Sequence, residues 1–337
     1  TLLHATATGQ WNWDALSAWD GKDLSDWGFN KSTLKAWKAD VNALGNFLAS
    51  GEPEPEIDDP GVDAVDRADE LQEKWKVKKG DVWLLGDHRI MCGDSTNAGD
   101  VARLCAGVRG HLTFTDPPWN VNYGVNLNKG NKQGYKVRKI ENDDLGADFG
   151  AFCDAFMAQI ADSLLPGAAI YLKMSAQEWA VIDASIRKVG FHWSSTIIWN
   201  KDRLVLSRKD YHTKYEPLWY GWKEGAGRLV PVEDRKQSDV WDFERPSSSE
   251  EHPTMTPVPL IQRCIENSSH PGHVVVDLFL GSGSTLIACE GTGRVCRGME
   301  LAPKYVAVSL ERWSMQTGKT PVLEGKKNGK AKNKKPQ

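Results

Sequence analysis

The chain has 337 residues, with 42 Lys and Arg against 45 Asp and Glu and a formal net charge of -3. This length suffices for one large domain or two smaller ones with a sizeable core. The slightly acidic balance excludes a uniformly basic nucleic-acid binder, so an anionic partner would have to meet a local patch. No apolar run approaches the roughly 18 residues of a membrane span, and no signal peptide is visible, which predicts a cytoplasmic protein without a membrane partner.

The six cysteines form no CxxC pair and have no metal-ligand spacing. Several lie in apolar settings typical of strands or helices, which predicts buried free thiols in a reducing compartment and no metal site.

Residues 1–50 carry apolar side chains at helical spacing and the helix-capping sequence NKST, which predicts a helical N-terminal segment. Residues 51–75 begin with the acidic, proline-containing run GEPEPEIDDPGVDAVDRAD, and their composition predicts a linker. Residues 317–337 end in the lysine-rich run KKNGKAKNKK and are expected to be disordered.

Between residues 76 and 316, short apolar runs alternate with helical patterns. This alternation predicts an α/β domain with a doubly wound, largely parallel sheet. The expected order is the hairpin DVWLLGDHRIMCGDS, strand HLTFTD, helix FGAFCDAFMAQIADSLL, strand AAIYLKM, helix AQEWAVIDASIRKVG, strand SSTIIWN, apolar run EPLWYGWK, helix PVPLIQRCIENSS, strand, turn and helix HVVVDLFLGSGSTLIACEGTG, and strand RVCRGMEL.

The segment VVVDLFLGSGST is the strongest indication of a cofactor site. Its strand delivers Asp277 to the C-terminal end, and Gly281 and Gly283 let the backbone pass close to a ligand. It is neither GxGxxG nor a P-loop, so a dinucleotide or a triphosphate is not favoured. Glu300 ends the following strand, where a carboxylate can accept hydrogen bonds from both hydroxyls of a ribose. Without a ligand, the same residues are consistent with a tight turn and a solvated acid.

The segment TDPPWNVNYG follows the predicted strand HLTF. Two successive prolines cannot donate backbone hydrogen bonds, so the segment should end this strand. By itself it favours a stiff turn anchored by a core tryptophan, with a site that holds something flat and polar as the alternative.

Taken together, DPPW, DLFLGSGST and RGMEL resemble the S-adenosylmethionine-dependent amino-methyltransferases of DNA. DPPW precedes the glycine-rich segment, which resembles the permuted, beta-type arrangement of that family. The hairpin DVWLLGDHRIMCGDST and the phrase HPTMTPVPLIQR are similar to the same family. The resemblance implies a Rossmann-like class I methyltransferase fold over residues 76–316.

The resemblance implies S-adenosylmethionine as the cofactor. Glu300 would hold its ribose and Asp94 its adenine amino group. The common form of the phrase in relatives is HPTxKP, and Thr256 stands here at the lysine position. The residues expected to contact the cofactor are Asp94, Asp116, His252, Thr254, Asp277, Phe279, Gly281, Gly283, Ser284, Thr285 and Glu300.

Methylation of an aromatic amine is difficult because the nitrogen lone pair is delocalised into the ring. An acceptor on an amino hydrogen draws the nitrogen toward tetrahedral geometry. The Asp116 carboxylate and the Pro117 carbonyl, stiffened by Pro118, can supply two acceptors, and Trp119 offers a stacking face worth about 1–3 kcal/mol per base. We expect these four residues to form the catalytic group and the target base to be flipped out of a duplex.

Three further aromatic or amide residues are expected to line the base pocket beside Trp119: Asn120, Tyr123 and Tyr215. Each is also consistent with an ordinary turn or strand residue.

Double-stranded DNA is the expected partner. A target-recognition insert is placed at about residues 201–250, which hold ten basic residues interleaved with Trp219, Trp222 and Trp241. The basic loop 126–139 is expected to close over the DNA or to be a solvated surface loop.

Residues 1–70 resemble the segment that joins a ParB-like domain to a methyltransferase in some phage and bacterial modification proteins. This implies an upstream ParB-like domain. The role of the segment is left open between dimerisation into a homodimer, DNA contact and packing.

The favoured function is site-specific N6-adenine methylation of DNA, in a phage or in bacterial restriction-modification, because the motif begins with Asp. Relatives that act on cytosine N4 more often begin with Ser. The alternatives are an N4-cytosine enzyme, an RNA adenine methyltransferase and a non-catalytic nucleic-acid-binding module.

Overall fold

The computed structural model describes residues 61–121, 141–205, 210–245 and 255–325, with the side chains of residues 61–63, 203 and 205 excepted. All of these belong to the unit Asp59–Gln337. The predictions for residues 1–60, for loop 126–139 and for residues 326–337 lie outside the described residues, as do those for Tyr123, His252 and Thr254.

Helices and strands alternate along the described chain. The helices are α1 (Gly61–Asp66), α2 (Ala68–Trp75), α3 (Ala98–Cys105), α4 (Phe149–Ser163), α5 (Trp179–Lys188), α6 (Val258–Ser268), α7 (Ser284–Gly291) and α8 (Pro303–Thr317). The strands are β1 (Val82–Leu85), β2 (His88–Cys92), β3 (Gly110–Thr115), β4 (Leu164–Lys173), β5 (Phe191–Val205), β6 (Thr213–Lys223), β7 (Val240–Phe243), β8 (Val274–Asp277), β9 (Val295–Glu300) and β10 (Val322–Leu323).

These strands form one sheet in the order β10-β1-β2-β9-β8-β3-β4-β6-β5-β7. Strands β2, β9, β8, β3 and β4 run parallel to one another, while β1 is antiparallel to β2 and β6 is antiparallel to both β4 and β5. The prediction of a doubly wound, largely parallel sheet is therefore confirmed. The five parallel strands end along one edge, which we call the carboxyl edge, and ligands of open α/β sheets bind beyond such an edge.

The core has one layer on each face of the sheet. One buried cluster joins the sheet to α1, α2, α6, α7 and α8, and the other joins it to α3, α4 and α5. Strand β8 shows why the sequence folds this way: its run VVVD is buried at every position, as expected of a central parallel strand covered on both faces.

Residues 61–75 correct the predicted linker at its C-terminal end. They form α1 and α2, in which Ala64, Val65, Ala68 and Leu71 are at most 2% exposed. Helix α2 is also fastened to α8, because the side chain of Lys74 pairs with Glu311 at 2.6 Å. The apolar residues recur at helical spacing within an acidic sequence, and their burial outweighs the linker-like composition.

The predicted disordered tail is corrected in the same way over its first residues. Strand β10 pairs antiparallel with β1, placing Leu323 opposite Trp83. Within the predicted target-recognition insert, β6 and β7 are strands of the central sheet, and its role in recognition stays a prediction. Edge pairing and long-range strand contacts leave little local signal in a sequence.

The prediction of buried free thiols is confirmed for all six cysteines. Among the helices described here, none is long and apolar enough to cross a membrane.

Candidate active site

Charged side chains lie at the ends of the five parallel strands. In spatial order along the carboxyl edge they are Asp94 after β2, Glu300 at the end of β9, Asp277 at the end of β8, Asp116 after β3 and Lys173 at the end of β4. The four acids thus belong to four adjacent strands, and Lys173 belongs to the next. The sheet topology brings together residues that are up to 206 positions apart, from Asp94 to Glu300.

The DPPW turn is clamped by a buried acid from the next loop. Asp143 is 4% exposed, and its Oδ1 accepts hydrogen bonds from the backbone N–H of Trp119 at 3.1 Å and of Val121 at 3.3 Å. The indole Nε1 of Trp119 turns back and donates to Oδ1 of Asp116 at 3.1 Å. The turn therefore holds the aromatic ring beside the carboxylate.

The other oxygen of Asp116 faces a lysine. Nζ of Lys173 lies 2.8 Å from Asp116 Oδ2 and 2.8 Å from Glu216 Oε2, and it donates to Thr256 Oγ1 at 2.8 Å. Glu216 pairs in turn with Lys201. The four charged groups alternate in sign, from Asp116 through Lys173 and Glu216 to Lys201, and so compensate one another within a largely buried site.

Burial raises the pKa of Asp116, and the Lys173 ammonium opposes that rise. Burial also disfavours the charged form of Lys173, but the Asp116 and Glu216 carboxylates outweigh it and raise the lysine pKa. Because Asp116 keeps 28% of its side-chain surface exposed and has an ammonium at 2.8 Å, we assign it as an ionised carboxylate.

The glycine-rich turn crosses in front of the ends of β8 and β9. Gly281 and Gly283 have φ of +56° and +96°, a region that favours glycine. A Cβ on Gly281 would meet open space, whereas one on Gly283 would lie 2.7 Å from Ser309 Oγ. Gly281 therefore leaves room for a ligand, and Gly283 allows close packing against α8.

Glu300 fastens this turn to the end of β9. Its Oε2 accepts the Gly281 N–H at 3.0 Å and its Oε1 accepts the Ala302 N–H at 2.8 Å. Burial raises the pKa of Glu300 to about 7, against the opposing effect of these two donors. Each oxygen keeps a lone pair that can accept a hydroxyl hydrogen.

Asp277 supports the turn from beneath and is only 2% exposed. Its Oδ1 accepts hydrogen bonds from Thr115 Oγ1 at 2.9 Å and from the Phe279 N–H at 3.0 Å, while Oδ2 accepts from Thr285 Oγ1 at 2.6 Å. Burial raises the pKa of Asp277 to about 6. In this structure Asp277 and Thr285 hold the turn in shape, and neither side chain is open to a ligand.

Comparison with known families decides the identity of this arrangement. The N6/N4 methyltransferase family model, described as "DNA methylase", matches residues 110–311 and so covers more than half of the chain, including Asp116, the glycine-rich turn and Glu300. The chain belongs to the DNA methylase family. Its members and the fold indicate a methyltransferase enzyme with S-adenosylmethionine as cofactor.

The methylase has curated relatives at moderate identity. It is 29% identical over 236 residues to the DNA adenine methyltransferase YhdJ of Escherichia coli (strain K12), covering 60% of this chain and 75% of that protein. It is 31% identical over 134 residues to the type II methyltransferase M.XycI of Xanthomonas campestris pv. cyanopsidis, covering 36% of this chain and 45% of that protein.

Solved structures share the fold of the methylase. The PvuII DNA methyltransferase (cytosine-N4-specific) superposes with a TM-score of 0.53 at 18% identity, covering 70% of this chain and 89% of the other. The M1.HpyAVI-SAM complex gives a TM-score of 0.51 at 19% identity, covering 66% and 97%. These likenesses confirm the Rossmann-like methyltransferase fold.

The residues of the methylase fit its cofactor. Gly281 faces open space, and Glu300 beside it offers acceptor lone pairs to a ribose. Phe279, in the glycine-rich turn, is half-buried and meets Phe156 edge-on at 5.0 Å between ring centres. Part of the Phe279 ring therefore remains exposed beside the turn. Asp94 is exposed at the end of β2, next to β9. The bound cofactor would supply an electrophilic methyl group.

Other predicted site residues have partners within the protein. Asn120 has φ of +56°, and its Oδ1 accepts the N–H groups of Leu145 and Gly146 at 2.8 and 3.0 Å, so it shapes the loop below the turn. Ser284 is 8% exposed and lies 3.4 Å from NH1 of the buried Arg312. Tyr215 is 42% exposed on β6, at the residue before Glu216, and remains open to the carboxyl edge.

Several functional residues escaped prediction from the sequence. Lys173 and Glu216 surround Asp116, Asp143 clamps the DPPW turn, and Arg312 donates to Ser282 O at 2.7 Å from inside α8. One signal was available, because Lys173 ends the apolar strand AAIYL, and the strand ends of such sheets line the ligand site. For Asp143 and Arg312 the sequence offers no local sign, since their partners are set by the tertiary fold.

Proposed function

We propose that the methylase transfers a methyl group from S-adenosylmethionine to the exocyclic N6 of an adenine flipped out of double-stranded DNA. The observation that carries this proposal is the environment of Asp116. Its Oδ1 already accepts an N–H from a flat aromatic ring at 3.1 Å, and it lies at the carboxyl edge two strands from Glu300. An amino group on a stacked base presents a similar donor to the same oxygen.

The chain's own residues can then prepare the nitrogen. Asp116 and the Pro117 carbonyl accept the amino hydrogens, and Trp119 supports the base from one face. The bound cofactor would supply the methyl group that the nitrogen lone pair accepts, with the sulfonium sulfur as the leaving group, and the surplus amino proton would pass to Asp116 and on to water. No covalent intermediate with the protein is required.

Adenine is favoured by two observations. The motif begins with Asp116 rather than Ser, and YhdJ, which matches 60% of this chain, is named a DNA adenine methyltransferase. Cytosine N4 presents the same amino chemistry to Asp116 and is the second candidate.

DNA contact is assigned to the part of the β5–β6 hairpin that extends beyond the carboxyl edge. Lys173 at the end of β4 pairs with Leu218, and β6 begins five residues earlier, so the extension projects about 16 Å at 3.3 Å per residue. Tyr211 and Tyr215 on it are 90% and 42% exposed, and Lys214 between them is also exposed. Such a projection can meet phosphates and bases around a flipped nucleotide.

The described basic side chains of segment 201–250 are not gathered into one patch. Lys201 is 5% exposed and paired with Glu216, and Trp219 and Trp241 are core residues. Trp222 packs under Arg228 at 4.7 Å. The exposed residues of the hairpin extension therefore support DNA contact better than the segment as a whole.

The reaction is tested by incubating the protein with labelled S-adenosylmethionine and with duplex DNA or RNA, followed by mass spectrometry of the nucleosides. N6-methyladenine in DNA is the expected product. N4-methylcytosine would replace the base assignment alone, label confined to RNA would overturn the DNA assignment, and no label in either would refute the proposed function.

The hairpin is tested separately by Lys214→Gln. The lysine change should weaken DNA binding uniformly across sequences and reduce the salt slope of binding by about one charge. A matched control is Lys188→Gln, which removes a surface lysine at the end of α5 that is paired with Asp154 on α4, away from the hairpin. Equal DNA affinity and equal salt slope in Lys214→Gln and the control would show that the DNA interface lies elsewhere.

A further inference from the structure

Lys173 is the last residue of β4 and is 1% exposed, although the mechanism above does not use it. Its ammonium has three hydrogens, and three acceptors from different elements lie 2.8 Å away: Asp116 Oδ2 after β3, Glu216 Oε2 on β6 and Thr256 Oγ1 before α6. The ammonium of this buried lysine therefore lies between two carboxylate oxygens and a hydroxyl, to which it donates a hydrogen bond. Its position is fixed from three directions.

Two indole rings complete the enclosure. Nζ of Lys173 lies 5.4 Å from the ring centre of Trp119 and 5.5 Å from that of Trp199. Trp119 is the ring expected to stack on the base, so the lysine lies beside both Asp116 and Trp119 of the proposed catalytic turn. A buried ammonium is costly unless it is paired, and here every contact is an acceptor or an aromatic face.

The charges around Asp116 make this lysine decisive for the carboxylate. The acids that face it are Glu216 from β6 and Asp277 from β8, both of which disfavour a further negative charge nearby. Lys201 pairs with Glu216, whereas Asp116 pairs with Lys173. Among the described groups, Lys173 is the cation in direct contact with Asp116.

We propose that Lys173 is a positioning residue for methyl transfer: its ammonium holds Asp116 as a carboxylate and fixes Oδ2, so that Oδ1 is presented to the hydrogen of the target amino group. This rests on the proposed function, in which Asp116 accepts that hydrogen. Oδ1 accepts the Trp119 Nε1–H at 3.1 Å, so it is the Asp116 oxygen that faces the ring on which the base is expected to stack. Lys173 keeps its own protons throughout and is not the base.

The test compares Lys173→Gln and Lys173→Arg with the wild type in single-turnover methylation from pH 5.5 to 9.5. Without the cation the pKa of Asp116 should rise further, so the limb along which the rate increases with pH should move up by about 1–3 pH units. Lys173→Arg should return the limb to its wild-type position. The second readout is the pH titration of the Asp116 carboxyl carbon by ¹³C NMR in the cofactor-free protein, assigned with Asp116→Asn.

The matched control is Lys223→Met, which removes a half-buried lysine at the other end of β6 that donates to the carbonyls of Ala161 and Leu164. It should leave both the rate limb and the carboxyl titration unmoved. If Lys173→Gln does not fold, the charge-balanced double variant Lys173→Gln/Glu216→Gln takes its place.

A limb and a titration that both move upward in the glutamine variant and return with arginine would support the proposal. A rate lowered by the same factor at every pH, with an unmoved titration, would overturn it and leave Lys173 a structural residue. An unchanged rate would also overturn it. Failure of the proposed function is separable, because wild-type protein would then methylate no DNA while the titration would still report on Lys173.

Discussion

Three acids end three adjacent strands of one sheet, yet they are held in two different ways. Asp116 faces the ammonium of Lys173 at 2.8 Å. Asp277 and Glu300 are compensated by hydroxyl and backbone N–H donors instead. The Lys173 ammonium opposes the rise in the pKa of Asp116 that burial causes, whereas the neutral donors around Asp277 and Glu300 are outweighed by burial.

The difference matches what each region has to do. The DPPW region needs an acceptor that is charged whenever a base arrives. The glycine-rich turn needs its acids to hold backbone groups in place, and Asp277 and Glu300 have pKa values raised by burial to about 6 and about 7. Asp116 is therefore stabilised in its charged form by a cation, whereas the protonation of Asp277 and Glu300 responds to pH near neutrality.

The largest effect is expected from breaking the lysine-paired region with Asp116→Asn. The negative charge is lost and an NH2 donor replaces one of the two carboxylate oxygens, so the single-turnover rate should fall by about 10³-fold. Cofactor affinity, measured by calorimetry, should stay within about threefold of the wild type, because the ribose site is on β9. Retained turnover would refute the role of Asp116.

Trp119 tests the same region through stacking. Trp119→Ala should weaken productive base binding by about 1–3 kcal/mol, seen as a raised KM for DNA. Trp119→Phe keeps a flat face and removes only the N–H donated to Asp116 Oδ1, so most of the affinity should remain. Equal losses in both variants would assign the indole N–H, rather than stacking, as the important group.

Glu300 tests the neutral-donor region. Ribose hydroxyls donate to its carboxylate form, so cofactor affinity should increase as pH rises and reach a plateau above the pKa of about 7. Glu300→Gln should weaken binding by about tenfold or more at pH 8 and remove this dependence. The cofactor dissociation constant of Glu300→Gln is divided by that of the wild type at each pH from 5.5 to 8.5. A ratio independent of pH would contradict the assignment.

Asp277 should show the smallest effect, on stability alone. Its folded pKa of about 6 exceeds the ordinary value of 3.8, so the folded state binds the proton more tightly. The free energy of unfolding should therefore decline as pH rises from about 4 to 6, by about 3 kcal/mol at most, and stay level above. Asp277→Asn should flatten this part of the profile in denaturant titrations, and an unchanged decline would place its origin elsewhere.

Much of the site was predictable because it lies where strands end. The apolar run VVVD predicts a buried strand, the glycines after it predict a turn with room for a ligand, and DPPW must end a strand. The partners of Asp116 were less accessible, since Lys173, Glu216 and Thr256 are 57, 100 and 140 residues away. Such distances carry no period or spacing from which a contact could be read.

The composition of residues 61–75 gave the wrong answer for a related reason. The segment holds five acidic residues, but its apolar side chains pack into a core shared with α8 that only the folded domain provides.

By itself, the sequence determined the alternation of strands and helices, the two strand-end motifs and the family to which they belong. These are local properties, set by hydrophobic periodicity, by the missing N–H of proline and by the backbone freedom of glycine. Only the tertiary structure decided which carboxylate stands beside a lysine and which beside neutral donors. Charge state depends on burial and on partners brought together by strand order, and strand order is a property of the whole sheet.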